Sequence, residues 1–182
     1  MAAFKIASTI VAGTANVLIY CQTGTVGTPV LTSLAQVICD PFYRTFEGLQ
    51  TLIHKEWLYY KYDFCKKGRV IVNPSEPEGK IEPIFIFFLD ALAQIVKMNP
   101  IAFEYKSTYL AFLASEQLSN RFFEFIQGPL QDDKAAPLPT VFGVELRVDD
   151  VNLVYEVSNS LVYSPKYVEY WDDYFGRFQP KS

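Results

Sequence analysis

The chain has 182 residues, with 16 Lys and Arg against 20 Asp and Glu, a formal net charge of −4, and half of its residues hydrophobic. Aromatic residues make up 16%, which excludes a disordered chain, and the lack of cationic excess excludes a nucleic-acid binder of the basic-patch kind. The length suits one domain with a sizeable core.

Phe4, Ile6, Ala7, Ile10 and Val11 lie at helical spacing and predict a helix over residues 3–11, stopped at Gly13. No charged residue occurs from Ile6 to Cys39. This looks superficially like a signal peptide or membrane anchor. However, Gly13, Gly24, Gly27, Pro29 and several threonines leave no block of about 20 apolar residues. A helix, a strand and a loop in series account for the run better. Residues 17–20, Val-Leu-Ile-Tyr, predict a buried strand. A small-residue loop follows over 21–28. Thr28 as cap and Pro29 at the first helical position then open a helix over 29–39, with Leu31, Leu34, Ala35 and Ile38 on one face.

Asp40-Pro41 marks a turn. The next helix spans 45–60 and carries His54, the only histidine, which reads as a surface or helix-packing residue rather than a triad member. Residues 72–83 predict a loop, 84–98 a strongly apolar helix ended by Asn99-Pro100, and 108–118 a further helix. Residues 127–139 predict a loop or link, followed by a less regular tail ending in an aromatic segment over 167–178. There is no internal repeat. Cys21, Cys39 and Cys65 contain no Cys-x-x-Cys pair. They give neither a disulfide framework nor, with a single histidine, a zinc set. No metal or cofactor is expected.

A strand ending in Cys21, a glycine-containing loop and a helix start form a recurrent anion-binding device. Loop and helix N–H groups converge on an anion, and the same field favours a thiolate. In cysteine-based phosphatases the loop runs Cys, five residues, Arg. The arginine grips phosphate oxygens and steadies transition-state charge. Counting from Cys21, that position is Gly27.

Longer motifs add specificity. Residues 17–28, Val-Leu-Ile-Tyr-Cys-Gln-Thr-Gly-Thr-Val-Gly-Thr, resemble the active-site segment Val-Leu-Val-His-Cys-Ser-Asp-Gly-Trp-Asp-Arg-Thr of the myotubularin family. Closer matches follow in residues 31–36 (Leu-Thr-Ser-Leu-Ala-Gln), 40–45 (Asp-Pro-Phe-Tyr-Arg-Thr), Glu47-Gly48 and 55–58 (Lys-Glu-Trp-Leu). Residues 83–90 (Pro-Ile-Phe-Ile-Phe-Phe-Leu-Asp), 100–105, Tyr170-Trp171 and 174–180 extend the likeness over almost the whole chain. It is weakest over about 127–166. The resemblance implies a partial, mostly helical α/β cysteine-phosphatase domain spanning residues 1–182, with a short strand leading into a degenerate phosphate-binding loop. It also implies that the PH-GRAM domain and the first half of the phosphatase domain are absent. That leaves a fragment of a larger product, a short protein docking on a partner, or a remodelled N-terminal region.

Active members of the family remove the 3-phosphate from phosphatidylinositol 3-phosphate and 3,5-bisphosphate. Inactive members pair with active ones and regulate them. By resemblance, Cys21 is the nucleophile position, Gly24 is the family glycine and Thr28 is the hydroxyl residue that can bond the sulfur. Tyr20 replaces the histidine, Thr23 and Val26 the two aspartates, Thr25 the tryptophan and Gly27 the arginine, while Gln22 completes the candidate anion-binding loop. A positioned general acid is worth about 10² to 10⁴ in rate, and an arginine on transferring phosphoryl oxygens about 10³ to 10⁵. Losing both independently corresponds to about 7 to 12 kcal/mol of transition-state stabilisation. Without the arginine, Cys21 is expected to lose a source of pKa depression, and an ordinary thiol of pKa about 8.5 is only a few per cent ionised at neutral pH.

The leading expectation is therefore a pseudophosphatase that partners an active family member or itself. An active 3-phosphatase using Cys21 is the alternative, and a weak phosphoinositide-binding module without turnover is a third. Such a protein is expected in the cytoplasm, peripheral on endosomal membranes at most. Its sheet partners largely missing, the 17–20 strand is expected to leave a sizeable apolar face exposed.

Overall fold

The computed structural model describes residues 2–60, 62–64, 83–119, 121–126 and 138–178. Helices dominate it. Helix α1 spans Ala2–Val11 and buries Ala3 and Ala7. It ends at Gly13, whose φ of 62° is the left-handed conformation that favours glycine at a helix stop. Helix α2, Gly27–Cys39, packs on α1 and buries Val30, Ser33, Leu34, Ala35 and Val37. Leu31 and Ile38 pack at the edge of the core, so the buried stripe is rotated slightly from the expected one.

The Asp40-Pro41 turn is a short 3₁₀ segment, Pro41–Arg44, in which the Asp40 carboxylate accepts the Phe42 N–H at 2.9 Å. Thr45 then caps α3, Phe46–Ile53, by accepting the Gly48 N–H at 3.0 Å. A Cβ on Gly48 would lie 1.8 Å from the Phe42 carbonyl oxygen. The turn therefore folds back so closely that only glycine fits. The helix widens into a π turn over His54–Leu58, placing Trp57 in the core with no exposure.

Helix α4, Ile84–Met98, is the most apolar and lies at the centre, burying Phe85, Phe88, Leu89, Leu92 and Ala93. Helix α5, Ser107–Glu116, packs against it. Between them, Trp57, Phe64, Phe85, Phe88 and Phe125 form an aromatic cluster with ring centroids mostly about 5 to 6 Å apart and many edge-on contacts, the geometry favoured by ring quadrupoles. The last α-helix is short, α6, Asp172–Phe175, and buries Tyr174.

The tail follows the helices as a strap of 3₁₀ turns fixed by buried amides. The Asn99 amide N–H donates to the Ile95 and Val162 carbonyls at 2.8 Å each, and its oxygen accepts the Val162 N–H at 2.7 Å. Gln94 reads both backbone groups of Glu169 at 2.9 and 3.1 Å. The Asn152 amide donates to the Pro100 and Phe103 carbonyls at 2.7 Å.

No strand occurs among the described residues, and the single β-bridge joins Tyr105 to Val151. The expected strand over 17–20 is corrected accordingly. A strand exists only through a ladder, and these residues have no ladder partner; Leu18 and Tyr20 are each 83% exposed. The expected exposed apolar face is present there and continues over Ile10 and Val11. The expected loops over 72–83 and 127–139 fall largely outside the described residues, as do Cys65 and Arg69. No helix among the described residues is long and apolar enough to cross a membrane.

A thiolate loop at the start of the second helix

Three placements bring the loop together: the chain leaving α1, the turn at Gly24 and the first residues of α2. Gly24 has φ 72°, the left-handed turn that swings the chain from Cys21 back to α2. Thr23 and Thr25 join hydroxyls across it at 3.0 Å. Thr28 then lies over the cysteine, its hydroxyl donating to the Cys21 sulfur at 3.1 Å.

This contact corrects the expected cap. Helix α2 begins at Gly27, and its N-cap residue Val26 makes no side-chain bond. Thr28 lies inside the helix, one residue past its first, where its hydroxyl donates to the sulfur instead of capping. It also corrects the expected thiol. The Cys21 pKa is lowered from 9.0 to about 6, first by the Thr28 hydroxyl and then by the backbone N–H groups of Val26 and Thr28, with Gly27 adding less, against a small opposing effect of burial. Donors aimed at a thiolate favour the charged form. The loop thus keeps Cys21 mostly ionised at neutral pH without the arginine.

The arginine position itself is empty of side chain. A Cβ on Gly27 would meet the Cys21 Cβ at 3.9 Å, an ordinary contact. No other described arginine is free for the role. Arg44 is fully buried, donating to the Val37 and Ile38 carbonyls at 2.9 Å each and to the Ser158 carbonyl. Arg121 pairs with Glu116, Arg147 chelates Asp150 at 2.9 Å, and Arg177 donates to Ser115 at 2.6 Å. Thr23 and Val26, at the aspartate positions, carry no acid. Gln22 is exposed.

Beneath the loop lies a support that the sequence motifs contain but do not explain. The Glu56 carboxylate accepts Thr32 Oγ1 and Gln36 Nε2, both at 2.9 Å, and Trp57 Nε1 donates to Ser33 Oγ at 3.1 Å. The runs at 31–36 and 55–58 are thus the two halves of one polar seam holding α2 to the π turn. His54 faces Phe142, with ring centroids 5.4 Å apart, in keeping with a packing role. No group of three His, Cys, Asp or Glu side chains among the described residues could hold a metal ion.

Comparison with known proteins bears on this arrangement. Residues 1–132 match the family model described as a myotubularin-like phosphatase domain. The chain is 29% identical over 190 residues to the myotubularin of Rattus norvegicus, covering 98% of this chain and 31% of that protein. It is 29% identical over 191 residues to the phosphatidylinositol-3,5-bisphosphate 3-phosphatase MTMR2 of Bos taurus, covering 98% and 29%. To the MTMR8 enzyme of the same description from Homo sapiens it is 35% identical over 120 residues, covering 66% and 16%. The chain spans less than a third of the length of these relatives.

Proposed function

The chain belongs to the myotubularin-like phosphatase family, and from that premise we propose that it is a catalytically inactive member, acting as a regulatory or scaffold partner of an active phosphoinositide 3-phosphatase. The observation that carries this reading is Gly27. A thiolate can be ready to attack, but a phosphoryl group at the loop meets no guanidinium on its equatorial oxygens. No carboxyl is present at 23 or 26 to protonate the leaving inositol oxygen.

The loop N–H groups that favour the Cys21 thiolate also suit an anion, so weak binding of a phosphoinositide headgroup accompanies the proposal. The reading puts the chain in the cytoplasm, peripheral on endosomal membranes at most, since a net charge of −4 gives little attraction to anionic lipid. One observation favours a second reading. The depressed Cys21 pKa supplies a nucleophile, which would suit residual 3-phosphatase activity. Phosphate release from phosphatidylinositol 3-phosphate and 3,5-bisphosphate in vesicles, with Cys21→Ser as control, separates the two. The expected result is no release above the control. Turnover lost in Cys21→Ser would refute inactivity.

A further inference from the structure

Helix α4 carries a single acidic residue, Asp90, in an otherwise apolar stretch. Phe87, Asp90, Ala91 and Gln94 lie on one stripe of that helix, and the stripe is the floor of a cavity of 340 Å³, within the range of about 300 to 1,000 Å³ that small-molecule sites occupy. Four elements enclose it: α1 through Phe4, α2 through Leu31 and Leu34, α4 itself, and the tail strap through Tyr163. The Phe4 and Tyr163 rings, with centroids 5.0 Å apart, make one aromatic wall. Phe87, 61% exposed, stands at the rim.

A half-buried carboxylate beside such walls is best satisfied by a cation, and none of the described residues supplies one. Lys97, the only base in α4, donates to the Tyr170 carbonyl at 3.4 Å, and the ion pairs among the described residues lie elsewhere. Gln94 has no proton left for a ligand. Its Nε2 donates to Asp90 Oδ1 at 3.0 Å and to the Glu169 carbonyl at 2.9 Å. The cavity thus offers apolar walls, aromatic faces and the second carboxylate oxygen of Asp90, with the Tyr163 hydroxyl as its one side-chain donor among the described residues. That combination disfavours an anion. It suits an ammonium on an apolar body, the charge at Asp90 and the body against the rings.

We infer that this cavity is a binding site for a small lipophilic amine, held by an ion pair to Asp90 with its apolar part against Phe4, Leu34 and Tyr163. None of the loop residues 21–28 lines it, so the inference stands whether or not Cys21 turns over a phosphate ester.

The test is calorimetric titration of the full chain with phenethylamine, together with amide NMR to locate the contact. Phenethylamine should bind saturably, one per chain, with shifts concentrated at Phe4, Ala91 and Tyr163. Hydrocinnamate has a similar body with the opposite charge and should bind at least about tenfold more weakly. Asp90→Asn keeps an oxygen for Gln94 and removes the charge; it should weaken the amine about tenfold or more. Asp149→Asn, which removes the same charge from an exposed position outside the cavity, should leave binding unchanged and so separates the site from general attraction to an acidic chain. Ala91→Leu fills the floor and should abolish binding, with the helical circular dichroism spectrum of both α4 variants unchanged. The inference is overturned by an absence of saturable binding at millimolar amine, by hydrocinnamate binding as well as phenethylamine, by shifts that map away from the cavity, or by an Asp90→Asn variant that binds like the wild type.

Discussion

Replacing Thr28 by valine removes one hydroxyl and keeps the side-chain shape, so it isolates what holds the Cys21 thiolate. The Cys21 pKa lies at about 6, well below the ordinary thiol range. One hydroxyl and three N–H groups produce that depression against a small cost of burial, and the hydroxyl contributes most. Its share is therefore no less than a quarter, which raises the variant's pKa by ~0.8 or more and, at tenfold per pH unit, cuts the thiolate present at pH 6 about threefold or more. The assay is the rate of iodoacetamide alkylation of the Cys21 peptide from pH 4 to 10, read by mass spectrometry. Cys39, whose thiol burial pushes up, serves as an internal slow control. The wild-type profile should have its midpoint near pH 6, Thr28→Val should move it upward, and Thr28→Ser should keep it low. A wild-type midpoint in the ordinary thiol range, or one indifferent to the valine, would refute the argument that the loop alone ionises the sulfur.

Two further substitutions test the framework under the loop. Arg44→Met should lower the urea-unfolding free energy by about 3 kcal/mol or more, because the Val37, Ile38 and Ser158 carbonyls lose a charged donor; a change below about 0.5 kcal/mol would show that water replaces it. Gly48→Ala should cost at least ~2 kcal/mol in the same measurement, since the new methyl meets the Phe42 backbone rather than a movable side chain.

Much of the helical frame is legible in the residue pattern. The periodicity of Phe4 to Val11 and the apolar block over 84–98 each mark a helix to within a residue or so, because burial of one stripe or of a whole segment imposes that spacing. The strand over 17–20 was not, because β-propensity describes a residue's fit to a sheet and does not supply the sheet. Thr28 illustrates a second limit. In sequence it is a good helix cap, but the helix begins one residue earlier at Gly27, and the Thr28 hydroxyl is directed at Cys21. The device that favours a thiolate, and Thr28 as its hydroxyl, were both legible in the loop pattern; that they suffice without the arginine was not, since the aim of the Thr28 hydroxyl and of the backbone N–H groups is fixed only by the fold. The tail escapes periodicity altogether. Its 3₁₀ turns are held by Gln94 and Asn99, up to 75 residues away in the chain, and by the tail's own Asn152 reaching back to Pro100. The motif positions Glu56, Thr32 and Gln36 were visible as a resemblance, but only the fold shows that they meet.

The Arg44 contact to Ser158 spans 114 residues and makes the tail inseparable from the helices. A product trimmed behind Phe125 would cost the Arg44 fork its Ser158 partner, the Asn99 amide its Val162 partner and the Gln94 amide its Glu169 partner, all at once. Residues 138–178 are thus a closing buckle rather than an appendage. A truncation designed to stop where the family model stops would be expected to loosen α2, and with it the seat of the very cysteine it was meant to isolate.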